Sequence, residues 1–575
     1  MKNLFWAIVI NVAILIVFLV FTDLQYSTND DRTLALAIGQ RGYFFFPFTN
    51  YFLNVLVAFI QKITPFWNAW VGCQIVFSFA AFTAITYVYC KNNQDSLWIR
   101  SLGVSIVLIF AYDHYAVFQF SQTAALLMVA GSLLIIQSFQ KTNWPTMIAG
   151  GVMLCIGTWY RYSGIYAVLC FSAIYIVYLI IQNRKRFRTL KNKDKGKLIH
   201  IVALAALLFA IILTNQVSKK IDTSTPELKL YTEYNSVRAH FTDYPRPTYN
   251  DNKRFFQELG ISKNDYSLMQ VWFLDANTTA SLENLKRIIQ LQKQMEQEEF
   301  GLSSPMKKFL SDEKKGVVNL GKRGINTIFL IMLAIIIVVV ARVKYWPLYI
   351  VFMGAYIALY LYLYTLGRIP YRATYVIDLA AIIWCAYSIR TNSFKSVFLR
   401  AFSEKTRRRV SMTVSLVMIA ATCLILNIGG FLQIGQAAET PSAKEIGAMY
   451  QYINDHPEKS FILSTRASGL NREGNPSYHY PLKPLTTSNE NSFSFGGWTM
   501  MSPYRNESLA RKGLSNVFGD IVDNESVYVV EFADERIQMM EQFFTDHYAP
   551  PGKTIYFEHV EDIGEFPLWQ VKTSQ

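Results

Sequence analysis

The stretch LFWAIVINVAILIVFLVF, Leu4 to Phe21, followed after a short link by Asn29-Asp30-Asp31-Arg32, decides how this chain is read. The apolar run matches the roughly 20 residues that a helix needs to cross a bilayer. No small-residue cleavage site closes it; Phe21-Thr22-Asp23 follows instead, so the segment reads as a retained span and not a removed signal. Lys2 on its near side predicts a cytoplasmic N-terminus. The acidic residues beyond it then fall in the first exported loop, close to the membrane surface.

Working outward, the apolar pattern recurs along the chain, which is 52% hydrophobic, 15% aromatic and 17% charged over 575 residues. Further apolar segments run from Ala69 to Tyr89, Ile99 to Tyr112, Gln122 to Phe139, Met147 to Tyr160, Gly164 to Ile181, Ile199 to Leu213, Ile325 to Ala341, Tyr349 to Leu366, Val376 to Tyr387 and Val414 to Leu432. With the first, they predict a polytopic α-helical membrane protein of about 11 transmembrane helices, some of them short.

A net charge of +14 would suit a nucleic-acid partner if it covered a soluble domain. Instead the basic residues gather in two blocks, Arg184 to Lys197 and Lys395 to Arg409. Counting spans from a cytoplasmic N-terminus puts both blocks inside, as the positive-inside rule requires. Topology accounts for the charge, and no nucleic acid is implied. The six cysteines, Cys73, Cys90, Cys155, Cys170, Cys385 and Cys423, lie in or at the edges of apolar segments, which implies neither a disulfide framework nor a zinc site.

The same count leaves three pieces on the exported face: Thr22 to Trp67, Asn215 to Asn319 and the tail from Gly435. The expected organisation is a transmembrane module over 1–433, with exported loops 22–67 and 215–319, and a small exported C-terminal α/β domain over 434–575. In the first loop, DDRTLALAIGQRG reads as a short helix with Asn29 or Asp30 as N-cap and Gly39 as its stop. A second helix over Asn50 to Ile63 and the aromatic cluster Tyr43, Phe44, Phe45, Phe46 and Phe48 suit the outer membrane interface.

Asp30 and Asp31 read in two ways. Asp is a good N-cap and suits the positive end of a helix; a carboxylate at this boundary also suits proton transfer beside a lipid head group. Neighbouring helix positions point about 100° apart, so one of the two at most faces a cavity squarely. Asp30 is assigned that role, with Asp31 as helper, metal ligand or surface charge.

Arginines also stand on the exported side, against the positive-inside bias: Arg161 in Tyr160-Arg161-Tyr162, and Arg368 and Arg372 in Gly367-Arg368-Ile369-Pro370-Tyr371-Arg372. A guanidinium grips phosphate in a bidentate fork, so these residues, with Tyr371, are candidates for holding a lipid phosphate. Snorkelling to water or pairing with loop acids is the plainer alternative. Asp113-His114 is a lesser candidate, and no histidine has metal-ligand spacing. Ionisable residues deep inside spans are almost absent, and no internal repeat is evident.

In the middle loop, Ser281 to Gln297 has an apolar helical face, and Tyr234 to Pro247 is dense in aromatic, amide and charged groups of the kind a sugar-binding surface uses. In the tail, Ser442 and Glu445 predict a capping box opening a helix to Asp455, with strands at Ser460–Ser464, Ser526–Phe532, Lys553–Phe557 and Leu568–Lys572 and a helix over Asp534–Tyr548. The turn Phe495-Gly496-Gly497-Trp498 reads as packing or as a glycan contact.

A retained first span, an acidic pair Asn29-Asp30-Asp31 just beyond it, interfacial helices, many spans and an exported tail together resemble the GT-C superfamily of integral membrane glycosyltransferases, in particular the multispan proteins of Gram-positive cell-envelope polysaccharide loci. The resemblance covers the layout of the whole chain. It implies transfer of a sugar from a polyprenyl-phosphate donor to a glycan acceptor on the exported face, with inversion and with Asp30 as base. It leaves a divalent cation, Mg or Mn, open, with Asp30 and Asp31 as the residues to begin its site. The rival readings are a lipid-linked polysaccharide polymerase or ligase led by Arg161, Arg238, Arg368 and Arg372, and a non-enzymatic glycan or lipid transporter.

Overall fold

Each apolar segment read from the sequence falls largely on a helix, because in hydrocarbon a backbone must satisfy its own hydrogen bonds. The structure, a computed structural model, describes residues 2–46, 48–93, 96–141, 143–182, 195–298, 303–340, 346–389, 403–430, 441–464, 467, 481–482, 491–532 and 534–575. Most of the two basic blocks, the side chain of Ser442 in the expected capping box, and His479 lie outside the described residues.

Among the described residues, eight helices are long and apolar enough to cross a membrane: Lys2–Phe21, Ala69–Asn92, Leu97–Tyr115, Phe120–Phe139, Tyr162–Gln182, Ile199–Ile221, Trp346–Thr365 and Glu404–Ile428. A bent pair, Ser304–Val318 with Lys322–Val338 at 95°, makes up to nine. The expectation of about eleven also counted the helices Trp144–Tyr160 and Tyr371–Ser388, which are shorter or more polar than these. The chain is a multi-pass membrane protein.

It divides into two compact units, Met1–Lys219 with Gly301–Gly435, and Lys220–Phe300 with Gln436–Gln575. In the first, the helices Phe120–Lys141 and Trp144–Tyr160 meet at glycines: a Cβ on Gly150 would lie 2.7 Å from the Gly131 carbonyl oxygen, so any larger residue would push the two backbones apart. The segment after the first span is stitched down by two short parallel strands, β1 (Gln25–Tyr26) and β2 (Val117–Phe118). The Gln25 N–H donates to the Ala116 carbonyl at 2.8 Å and the Ser27 N–H to that of Phe118 at 2.9 Å. A short helix, Asn29–Leu34, follows and continues as a π-helical turn over Ala35–Gln40. The helix Tyr51–Ile63 then starts on Asn50, whose side chain accepts from the Phe52 N–H at 3.0 Å. Its exposed Phe59 and Ile63 and its buried Leu53 and Val57 suit an interfacial helix.

The second unit differs from the sequence expectation, which kept the middle loop with the transmembrane module. Strands β3 (Ser460–Leu463), β4 (Ser492–Ser494), β5 (Val527–Val530), β6 (Ile555–Ile563) and β7 (Phe566–Thr573) form one sheet in the order β4-β3-β5-β7-β6. β3 runs parallel to β4 and β5, and β7 runs antiparallel to β5 and β6. The helix Pro441–Asp455 contributes Ile446, Met449 and Ile453 to one core. The other core joins Phe495, Phe518, Phe543 and Phe544 of the tail to Tyr234, Phe256, Phe273, Leu285 and Ile288 of the inserted segment. The apolar face of the helix Leu282–Glu298 thus has a tail sheet to cover, and burying it makes the two segments one body. At their seam Gly496 is indispensable, since a Cβ there would meet the Trp272 carbonyl oxygen at 2.0 Å. Phe495 and Trp498 are buried, so the Phe495–Trp498 turn packs.

Candidate active site

The helix carrying the acidic pair begins one residue earlier than expected. Thr28 occupies the N-cap position and its side chain makes no capping bond, so neither Asn29, Asp30 nor Asp31 is the cap. Both carboxylates are instead spent on tertiary contacts, and their adjacency sends them to different neighbours. Asp31 is fully buried. Its Oδ1 accepts from Trp70 Nε1 at 3.1 Å, from Gln74 Nε2 at 3.1 Å and from the Phe120 backbone N–H at 3.0 Å, while its Oδ2 has no partner among the described residues. Burial pushes its pKa up to about 7, against the pull of these donors and with some help from the charge of Asp30.

Asp30 is partly exposed. Its Oδ2 takes a charged hydrogen bond from Arg372 Nη1 at 3.1 Å. Arg372 lies in the first turn of the helix Tyr371–Ser388, whose first residue, Tyr371, donates its hydroxyl to Asp113 Oδ2 at 3.0 Å. Asp113 Oδ1 is ion-paired with Lys322, whose ammonium lies 4.6 Å from the Tyr112 ring centroid. One helix start therefore holds two acid–base contacts side by side. Beside them His114 is buried between Ser78 Oγ, 3.1 Å from Nδ1, and the Tyr375 hydroxyl, 2.6 Å from Nε2.

Of the residues expected from sequence, the structure brings together Asp30 with Arg372 and, through Tyr371, Asp113. Arg161 is placed at the C-terminal end of the helix Trp144–Tyr160, and Arg368 in the turn after Gly367, whose φ is 66°. The hydrogen bonds of Asp30 and Asp31 described above run instead to Arg372 and to Trp70, Gln74 and the Phe120 N–H. Tyr160, just before Arg161, packs on Trp70 at 5.5 Å between ring centroids, so that turn borders the Asp31 anchor. Trp70, Gln74 and Lys322 went unremarked in the sequence, since only the fold gives them a role.

One expectation is corrected. Asp378, in the interior of the helix Tyr371–Ser388, is a fully buried carboxylate, accepting from Tyr360 at 2.6 Å, Tyr356 at 3.3 Å and Asn326 at 3.0 Å. Asn326 also donates to the Tyr371 hydroxyl at 3.4 Å, which connects Asp378 to Asp113. An aspartate within Val376-Ile377-Asp378-Leu379-Ala380 was visible as a charge inside an apolar run.

This chain is similar to crystal structures of ArnT from Cupriavidus metallidurans. The form bound to undecaprenyl phosphate matches at 9% identity and a TM-score of 0.42, and the apo form at 8% and 0.45, each over 98% of this chain and 97% of the other. No family model and no curated protein matches the sequence.

For a divalent metal the acidic pair is a poor fit. Asp30 and Asp31 bond to different elements, and among the described residues no group of three His, Cys, Asp or Glu side chains converges to hold an ion.

Asp31 makes a pH prediction. Its folded-state pKa lies above that of an unfolded carboxylate, so the folded chain binds the proton more tightly; its stabilising share is full below about pH 4 and is lost as pH rises to about 7. Denaturation midpoints of the purified protein between pH 4.5 and 8 should fall with pH, and Asp31→Asn should flatten that slope. An unchanged slope in the variant would show that Asp31 is ionised in the fold throughout.

Proposed function

We propose that this chain is a membrane glycosyltransferase of GT-C type that moves a sugar from a polyprenyl-phosphate donor to a glycan on the exported face, with the N-terminus cytoplasmic and the tail exported. The observation that carries the reading is the Asp30–Arg372 contact, a partly exposed carboxylate and guanidinium held together at the start of the helix Tyr371–Ser388. Transfer from a lipid phosphate needs little more: a base for the acceptor hydroxyl and a cation for the departing phosphate.

In this mechanism Asp30 accepts the proton of the acceptor hydroxyl as its oxygen attacks the anomeric carbon. The bond to the phosphate oxygen breaks with its electron pair, leaving a phosphate monoester whose growing charge Arg372 and Lys322 neutralise. A single displacement inverts the anomeric centre. Asp31 acts at one remove: Trp70, Gln74 and Phe120 grip its Oδ1 and so fix the helix that aims Asp30. Arg161 and Arg368 extend the cationic surface available to the phosphate.

Arg372→Lys keeps the charge and loses the fork, so it tests the phosphate role separately from the base. In membranes supplied with a labelled polyprenyl-phosphate sugar, it should raise the donor KM by about tenfold or more, the worth of one charged hydrogen bond. An unchanged KM would remove Arg372 from donor binding.

Buried Asp378 favours a second reading, a proton-coupled transporter of a lipid-linked glycan. Glycan movement in proteoliposomes that follows an imposed pH gradient, with no change in the lipid's chemical form, would establish it over the transferase.

A further inference from the structure

In the second unit, Arg505 is only 7% exposed, yet its Nη2 donates to the Ser494 carbonyl oxygen and no described carboxylate is bonded to it. Burial lowers its pKa to about 10, still leaving it charged at neutral pH. It also sits in the first turn of the helix Pro503–Ala510, where the positive end of the helix opposes a cation. A buried charge without a counter-charge is destabilising. Nothing in the packing around Ser494 calls for a guanidinium, since any single donor would satisfy one carbonyl.

A second buried cation lies close by. Glu227, Tyr231, Tyr234 and Arg238 recur at helical spacing along Pro226–Asp243 and so share one face. That face meets the Arg505 segment directly: Glu227 accepts from Asn506 at 3.2 Å, and Tyr231 donates to the Trp498 carbonyl at 3.2 Å. Tyr234 feels the charges of both Arg238 and Arg505. Arg238, 4% exposed, donates to Asn235 Oδ1 at 2.6 Å and lies 5.3 Å from the Trp272 ring centroid. The aromatic and amide-rich stretch Tyr234–Pro247 and the turn Phe495–Trp498, far apart in sequence, are thus brought to one place.

We propose that Arg505 and Arg238 form a binding site for an anionic group, a phosphate or a carboxylate, carried by a glycan. The guanidinium forks match planar carboxylate and phosphate oxygens, and the ligand supplies the counter-charge that no described carboxylate gives Arg505. The site is independent of the Asp30–Arg372 chemistry, and its ligand need not be the donor.

The test titrates full-length protein in nanodiscs calorimetrically with inorganic phosphate in one arm and D-glucuronate in the other, at constant ionic strength. Binding of either anion, weakened at least about tenfold in Arg505→Met, is the expected result, and the arm that binds names the group. A ligand site also predicts that ligand-free Arg505→Met melts at or above the wild-type temperature, because an apolar side chain relieves the buried charge. Wild-type protein that binds neither anion, Arg505→Met that binds as well as wild type, or Arg505→Met that melts well below it without ligand would overturn the proposal in favour of a purely structural arginine.

Discussion

Under the proposed transferase mechanism, cells carrying Asp30→Asn should lose a sugar from the envelope polymer, with transfer reduced roughly a thousandfold, the usual worth of a positioned general base. Asparagine keeps the size of aspartate and can still accept a hydrogen bond from Arg372, so folding and abundance should stay normal. The loss would therefore be chemical and not structural. Membrane abundance must be measured in the same cells, because a lowered protein level would mimic the effect. Wild-type glycan in the presence of a normal amount of Asp30→Asn would dismiss the carboxylate from the chemistry and leave an arginine-led polymerase as the better account.

The second large effect is on stability. Asp113 is buried and its negative charge is met by Lys322, with the Tyr371 hydroxyl on the other oxygen. Removing the ammonium in Lys322→Met strands a buried carboxylate, which should cost about 3 kcal/mol. Asp113→Asn in the same chain should restore most of that, since a neutral amide no longer needs the cation. The pair is read by a double-mutant cycle on unfolding of the purified protein in mild denaturant. Additive losses in the two single variants, with no recovery in the double, would show that the ion pair is incidental. The cycle also separates stability from catalysis, because the recovered double variant should remain slow in transfer if Lys322 steadies the leaving phosphate.

Much of this architecture was legible in the sequence because spans announce themselves by length and apolarity alone. The tail was legible as well: the helix Asp534–Tyr548 is read to its ends and strands β3, β5 and β7 fall where alternation and turns place them, while β6 runs on to Ile563, past the expected end at Phe557, and β4 was not expected. The pairing of the inserted segment 220–300 with that tail was not, since an amphipathic face such as Leu285–Ile288 shows that it must be covered but not by what.

The site was half legible. Asp30 and Arg372 stood out, one by its place after the first span and the other as a charge beside an apolar run, and the fold bonds them across the chain. The division of labour between Asp30 and Asp31 was not, because it depends on Trp70, Gln74 and the Phe120 N–H, three groups with no signal of their own until the β1–β2 stitch brings them together. Asp378 is a different case, a charge inside an apolar run whose partners Tyr356, Tyr360 and Asn326 only the fold supplies.

The most direct measurement gives purified protein in nanodiscs a defined polyprenyl-phosphate sugar with the envelope polymer and follows the lipid by mass spectrometry. The transferase account predicts free polyprenyl phosphate and an inverted sugar linkage on the polymer, both absent with Asp30→Asn. A donor lipid that remains intact with active wild-type protein, or is consumed equally well by Asp30→Asn, would contradict it.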